Sequence, residues 1–238
     1  MKAILLSAGY GTRLKPITNN IPKCLVKINN VPLLEHWLNL MTDQGINNVL
    51  INTHYLSYKV EKFIELYRLH NPDLKIILKY EQKLLGTAGT VWRNQNFIGI
   101  DDCFVINSDN YSNIKLINIF KFHKKYNQFA TLGYLHRGNG SGGGHIQLGN
   151  NFIIKRFEEK PPIPFSKFIY SGIQVINHKI FQFLPFNDII LSQNSKLDFG
   201  YDVFPNLIGH MIGYKLNCDL IDIGDIKSYY LANNLYKI

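Results

Sequence analysis

Cysteine is scarce in this sequence, and long apolar runs are missing from it. The three cysteines, Cys24, Cys103 and Cys218, are far apart and form no C-x-x-C pair. This predicts reduced thiols, a cytoplasmic location and no zinc or redox site. No apolar run approaches the roughly 20 residues of a membrane-spanning helix, so no contact with a membrane is expected.

Acidic residues are also few, with 17 Asp and Glu against 26 Lys and Arg, a formal net charge of +9. The basic residues are dispersed, without a dense run or a basic amphipathic helix, so nucleic acid is not expected as a partner. A small polyphosphate is the favoured partner, and lysine-rich solubilisation is the alternative. A chain of 238 residues, 46% hydrophobic, is sufficient for one large α/β domain.

The first distinctive segment is a glycine turn followed by two cations. Residues 2–6 form an apolar run typical of an interior parallel strand, and Gly9 and Gly11 follow at once. Arg13 and Lys23 come next, a planar guanidinium and a compact ammonium that suit phosphate oxygens. The spacing matches neither the P-loop nor the dinucleotide-binding fingerprint. The glycines and the two cations together predict a site that binds a triphosphate. The alternative is an ordinary turn with surface cations.

Alternating strand and helix patterns up to residue 129 predict an α/β fold with a Rossmann-like, mixed and mainly parallel sheet flanked by helices. Strands are predicted over 2–6, 48–52, 74–80 and 103–107, and helices over 33–41, 59–69, 90–94 and 115–126. Later segments, 131–135, 145–148, 152–157 and 168–176, predict a smaller lobe. We expect a single domain, 1–238, with a nucleotide-binding half (1–129) and a sugar-phosphate-binding half (130–238). Residues 138–144 predict a loop that closes over substrate, or a plain connector.

Six short segments in order carry a family resemblance: 9–14 with 22–23, 85–89, 106–109, 158–161, 170–172 and 221–224. Together they resemble the sugar-1-phosphate nucleotidyltransferases, closest in pattern to the mannose-1-phosphate or heptose-1-phosphate guanylyltransferase-like members. The resemblance implies a glycosyltransferase-A-like nucleotidyltransferase fold. It also implies an enzyme that joins an NTP and a sugar 1-phosphate into an NDP-sugar with release of pyrophosphate, in nucleotide-sugar and polysaccharide biosynthesis.

The resemblance also implies roles for individual residues. The catalytic residues are Arg13 and Lys23, and Asp109 and Asp222 bind Mg²⁺. The nucleotide-binding residues are Ala8, Gly9, Gly11, Thr12, Glu81, Gly86 and Thr87. The sugar-phosphate-binding residues are Asn110, Gly144, Glu159, Lys160 and Gly172. Because the attacking phosphate oxygen is already a nucleophile, no general base is required, and the site must instead screen negative charge.

The identity of the nucleotide is less constrained. GTP is favoured over UTP, CTP and dTTP, because a carboxylate such as Glu81 can accept hydrogen bonds from guanine N1–H and N2–H. A transferase using another NTP, one acting on an alcohol phosphate such as phosphocholine, and a catalytically silent regulatory homologue are the alternatives. A homo-oligomer is compatible with the sequence but not required by it.

Overall fold

The computed structural model describes residues 1–137, 142–183 and 196–235. The chain forms two compact units. Unit 1 comprises Met1–Leu84, Asn107–Ile114 and the chain from Cys218 onward. Unit 2 comprises Leu85–Ile106 and the described residues of Lys115–Asn217. The single domain expected from the sequence, with its division after residue 129, stays a prediction, and most of the expected 138–144 loop lies outside the described residues.

The strands of the described residues are, in chain order, β1 (Lys2–Leu6), β2 (Lys27–Ile28), β3 (Val31–Pro32), β4 (Asn48–Thr53), β5 (Lys75–Tyr80), β6 (Cys103–Asn107), β7 (Asn110–Ser112), β8 (Ala130–His136), β9 (Gly144–Leu148), β10 (Ile154–Glu159), β11 (Phe168–Ile176), β12 (Met211–Lys215) and β13 (Leu220–Asp222). The α-helices are α1 (Leu33–Thr42), α2 (Ser57–His70), α3 (Thr87–Arg93), α4 (Gln95–Ile98), α5 (Leu116–Tyr126) and α6 (Ile226–Leu235). Within these ranges, no helix combines the length and the apolar character that crossing a membrane requires.

Unit 1 contains three parallel strands in the order β1, β4 and β5. β4 pairs in parallel with β1, Lys2 opposite Asn48, and with β5, Asn48 opposite Lys75. The middle of β1 and of β4 is fully buried, as expected for strands covered on both faces. Helices α1 and α2 make the two crossovers, and α1 buries Trp37 and Met41 along its apolar side. The carboxyl ends of these strands meet at one edge, where ligands bind in such sheets.

Unit 2 contains mostly antiparallel strands. β11 pairs antiparallel with β6, β8 and β9, and β10 pairs antiparallel with β9. β12 runs parallel to β8. The predicted α/β class with a mixed sheet is therefore confirmed: β1, β4 and β5 pair in parallel, and most of the strand pairs in unit 2 are antiparallel.

One short pairing was not predicted from the sequence. β7 and β13 form a three-residue antiparallel ladder in unit 1 that places Asn110 opposite Asp222. The backbone amide of Ile223 also donates to the carbonyl of Asp109 at 2.9 Å. This ladder joins two segments more than a hundred residues apart in sequence, and it brings Asp109 close to Asp222.

A polar network in unit 2 is centred on the buried carboxylate of Asp102. The Asp102 carboxylate accepts hydrogen bonds from Lys124 Nζ and Asn177 Nδ2, both at 2.8 Å. It also lies 3.5 Å from His123 Nε2, whose other nitrogen contacts Thr131 Oγ1 at 2.8 Å. Burial alone would raise the pKa of Asp102, but hydrogen bonds from His123 and Lys124 hold it well below its usual value.

Candidate active site

The first glycine loop begins where β1 ends. The Ser7 amide donates to Asn52 Oδ1 at 2.7 Å, and Ala8 is buried. Gly11 has φ +64° at the start of the short 3₁₀ helix Thr12–Leu14, and its carbonyl accepts from Thr18 Oγ1 at 2.8 Å. A β-carbon at this position would approach Thr18 Cγ2 to 3.0 Å. The fold itself therefore favours glycine at position 11.

Gly9 differs from Gly11. Its φ lies outside the left-handed region, and a β-carbon placed on it would have no atom of the described residues within 4 Å apart from its chain neighbours. The fold therefore gives no reason for a glycine at this position. Open space above a backbone that follows a buried strand is what close approach of a ligand requires.

Lys23 lies between two carboxylates in unit 1. Its ammonium nitrogen is 2.6 Å from Asp109 Oδ2 and 3.9 Å from Asp222 Oδ1. The lysine side chain is 12% exposed, whereas the Asp109 and Asp222 side chains are 35% and 51% exposed. The lysine is thus more buried than the two aspartates, and both carboxylates remain partly exposed to solvent.

Arg13 lies close to Asp222. A β-carbon on Gly224 would lie 3.2 Å from Arg13 Nη2 and 3.1 Å from Asp222 Oδ2, so this glycine allows both groups to approach the backbone. The pKa of the exposed Asp225 is lowered, first by hydrogen bonds from Ser228 and to a smaller extent by the Arg13 charge. Unit 1 therefore brings together the four charged residues predicted from the sequence: Arg13, Lys23, Asp109 and Asp222.

The Asp109 and Asp222 pair suits a divalent cation. Among the described residues no three His, Cys, Asp or Glu side chains form a preassembled metal cluster. The two carboxylates nevertheless lie close together, because an oxygen of each is within 4 Å of the Lys23 ammonium. Mg²⁺ prefers oxygen ligands, often one or two carboxylates completed by water and phosphate. The residues present therefore fit Mg²⁺.

The second glycine loop lies in unit 2 and contacts a segment that sequence reasoning missed. Gly86 has φ +82°, and a β-carbon there would lie 2.3 Å from the carbonyl oxygen of Leu197. The same oxygen accepts from the amide of Ala88 at 2.9 Å. Thr87 Oγ1 donates to Asp198 Oδ2 at 2.9 Å. Both predicted nucleotide-binding residues, Gly86 and Thr87, therefore already have a role in joining the loop to residues 197 and 198.

In unit 2, Glu159 is the last residue of strand β10 and Lys160 follows it. Gly144 and Gly200 leave room for Glu159, because a β-carbon on either would lie within 2.8 Å of its Oε2 atom. Burial raises the pKa of Glu159, Lys160 opposes this and Asp198 adds to it. Lys160 has φ +46°, a left-handed conformation that is uncommon outside glycine and is worth noting at a candidate site.

Gly172 forms a bulge in β11. It has φ +77°, and the register of β11 against β8 shifts between Tyr170 and Gln174. The Tyr170 hydroxyl donates to Gln174 Oε1 at 2.5 Å, and burial raises the pKa of Tyr170 well above its usual value. Asn110 is a buried residue of unit 1 whose carbonyl accepts from Trp37 Nε1 at 2.7 Å, and its sugar-phosphate-binding role stays a prediction.

Glu81, predicted to select the base, is only 7% exposed. Its Oε1 accepts from Asn52 Nδ2 at 2.8 Å, and its carbonyl contacts His54 Nδ1 at 2.8 Å. The carboxylate is therefore engaged within unit 1, and base selection by Glu81 stays a prediction.

Comparisons with known proteins identify the family. The nucleotidyl transferase family model matches residues 2–237. The chain is 27% identical over 99% of its length to a mannose-1-phosphate guanylyltransferase catalytic subunit beta from Xenopus tropicalis. It is 28% identical over 98% of its length to a UTP–glucose-1-phosphate uridylyltransferase from a Synechocystis species. It spans 64% and 62% of these two proteins, respectively.

Solved structures share the fold. HddC from Yersinia pseudotuberculosis, complexed with GMP-PN, superposes with a TM-score of 0.78 at 24% identity, over 99% of both chains. A UDP-glucose pyrophosphorylase complexed with UDP-glucose gives 0.81 at 22% identity, over 99% of this chain and 97% of that one. The chain belongs to the nucleotidyl transferase family, as its ordered motifs predicted.

Proposed function

We propose that this protein transfers a nucleotidyl group from an NTP to a sugar 1-phosphate and releases pyrophosphate. The observation that carries the proposal is the cluster of Arg13, Lys23, Asp109 and Asp222 in unit 1, the unit that also contains the open backbone at Gly9. Retention of all four charges argues against a silent homologue. The names of both curated relatives, one a guanylyltransferase and one a uridylyltransferase, support a sugar 1-phosphate as acceptor.

The chemistry follows from the charges. A phosphate oxygen of the sugar 1-phosphate attacks the α-phosphorus, forming a new P–O bond. The bond from the α-phosphorus to the bridging oxygen breaks, and pyrophosphate leaves with the electron pair. Arg13 and Lys23 stabilise the negative charge that develops on the departing and equatorial oxygens. Bound Mg²⁺, held by Asp109 and Asp222, would neutralise phosphate charge.

The residues that we propose for sugar-phosphate binding in unit 2 are Glu159 and Lys160. Lys160 pairs with the phosphate of the sugar, because a single ammonium suits a phosphate oxygen. Glu159 accepts hydrogen bonds from sugar hydroxyls, and Gly144 and Gly200 leave space for its carboxylate.

GTP is the nucleotide we propose first. A guanylyltransferase among the relatives and a GMP-PN complex among the fold neighbours support it. The uridylyltransferase relative and the UDP-glucose complex support UTP as the second candidate.

A pyrophosphate-release screen tests the function. GTP, UTP, CTP and dTTP are each combined with mannose, heptose and glucose 1-phosphates in Mg²⁺, and phosphocholine serves as the non-sugar acceptor. We expect turnover with a sugar 1-phosphate and its loss in Lys23→Ala. Absence of turnover with every pair, from protein shown to be folded by circular dichroism, would contradict the proposal.

A further inference from the structure

Two hydrogen-bonded relays connect Glu81 to the two sides of the first glycine loop. Through its side chain, Glu81 Oε1 accepts from Asn52 Nδ2 at 2.8 Å, and Asn52 Oδ1 accepts from the Ser7 amide at 2.7 Å. Through its backbone, the Glu81 carbonyl contacts His54 Nδ1 at 2.8 Å, and His54 Nε2 contacts the Tyr10 hydroxyl at 2.9 Å. All five residues belong to unit 1.

The direction of every bond is set by chemistry. A backbone amide only donates, so Asn52 must turn its oxygen to Ser7 and its nitrogen to Glu81. A carbonyl only accepts, so His54 Nδ1 carries a hydrogen. In the neutral imidazole Nε2 is then the acceptor, and Tyr10 donates to it. No other tautomer of the neutral histidine satisfies both of its contacts, with the Glu81 carbonyl and with the Tyr10 hydroxyl.

The two relays are buried at Asn52 and Glu81 and exposed to solvent at Tyr10. Asn52 is 3% exposed and Glu81 is 7% exposed, whereas Tyr10 is 47% exposed. Hydrogen bonds between buried groups hold geometry well, because a lost partner leaves a desolvated polar atom. Gly9, with open space at its α-carbon, lies between the anchored Ser7 and Tyr10.

We propose that Glu81 is a positioning residue that sets the first glycine loop for the triphosphate, acting through Asn52 and His54. This rests on the proposed function for the identity of the ligand. It assigns the carboxylate to the loop, and not to the base.

The test reverses the polarity of the buried relay. Asn52→Asp places a second carboxylate against Glu81. In the double variant Asn52→Asp with Glu81→Gln, the glutamine amide donates to the new aspartate, which still accepts from Ser7. We expect Asn52→Asp and Glu81→Ala to raise the KM for NTP about tenfold, more than they lower kcat. The double variant should recover most of that loss.

A second readout does not depend on turnover. Amide hydrogen exchange of a peptide covering residues 7–13 should be faster in Asn52→Asp and Glu81→Ala, and restored in the double variant. Thr53→Val is the matched control, because the buried Thr53 hydroxyl, on the same strand, has no hydrogen-bond partner among the described residues. It should leave the KM and the exchange of the loop unchanged.

The outcomes separate the hypotheses. A double variant no better than Asn52→Asp in exchange and in KM would overturn the relay. Positioning would also be overturned by two results together. In one, Glu81→Gln changes the preference among GTP, UTP, CTP and dTTP; in the other, Glu81→Ala leaves the amide exchange of the loop unchanged. These results would assign Glu81 to the base. If the wild type turns over no NTP, the proposed function fails, and exchange alone still decides the relay.

Discussion

Replacing Gly9 and Gly11 separately by alanine should affect two different properties of the protein. The two residues share one loop and flank Tyr10, yet a β-carbon at Gly9 meets open space and one at Gly11 meets Thr18 and Lys23. We therefore expect Gly9→Ala to impair triphosphate binding and Gly11→Ala to impair folding.

The magnitudes follow from the backbone. At Gly9 alanine adds no contact and reduces the freedom of the unfolded chain, which stabilises by about 0.4–1 kcal/mol. At Gly11, φ of +64° costs a non-glycine residue about 1–2 kcal/mol, and the 3.0 Å approach to Thr18 Cγ2 adds to it. A loss of this size lowers the Tm of a chain of this length by about 2–4 °C per kcal/mol.

Thermal unfolding and pyrophosphate-release kinetics are measured on both variants. Gly9→Ala should keep or raise the Tm, and its KM for NTP should rise about tenfold or more, because a methyl group occupies the approach of the phosphates. A Gly9→Ala variant with wild-type KM and kcat would refute a ligand role for the open space. A drop in Tm equal to that of Gly11→Ala would refute the structural distinction.

Three further changes test other parts of the protein. Arg13→Ala should lower kcat by about 10² in the pyrophosphate-release assay, the scale of losing one charge-stabilising donor; turnover within about threefold of wild type would exclude that role. Chelation by EDTA should abolish activity, and added Mg²⁺ should restore it. Asp109→Asn and Asp222→Asn should each raise the Mg²⁺ concentration that gives half the maximal rate. If the rate depends on Mg²⁺ as in the wild type in both variants, a shared metal site is excluded. Because the pKa of Asp102 is lower in the folded state than the unfolded value of about 3.9, its carboxylate stabilises the fold above that pH, and the contribution is lost as the pH falls. Asp102→Asn should therefore lower the free energy of unfolding in urea at pH 7, and its difference from wild type should shrink below about pH 4; a constant difference would contradict this.

The parallel strands of unit 1 could be predicted because their sequences contain short, continuous apolar runs. Residues 2–6 and 48–52 each read as buried strands, and the structure has them as Lys2–Leu6 and Asn48–Thr53. The ladder of β7 and β13 could not be predicted in this way. Each strand has three residues, too few for a periodic pattern, and its pairing depends on residues distant in sequence.

In the candidate site, too, residues in local motifs could be predicted, whereas contacts between distant segments could not. The charged residues of unit 1 follow strand ends or sit in glycine motifs, so their order in the sequence was informative. Asp198 was missed, although an aspartate before Phe199-Gly200 resembles a cap of a helical turn, and its side chain does accept from the Gly200 amide at 2.8 Å. Its contact with Thr87 spans 111 residues, which no local pattern reports.

Glycine in a binding motif has two different causes, and only the structure separates them. A β-carbon on Gly86 would lie 2.3 Å from the Leu197 carbonyl oxygen, and one on Gly144 would lie at the same distance from the Phe157 ring. Alanine at either position would disturb the protein before any ligand arrived, so lost activity there would say nothing about binding. Gly9 has no such contact among the described residues. Of these three glycines it is the one at which a loss of activity in a stable variant can be assigned to the substrate.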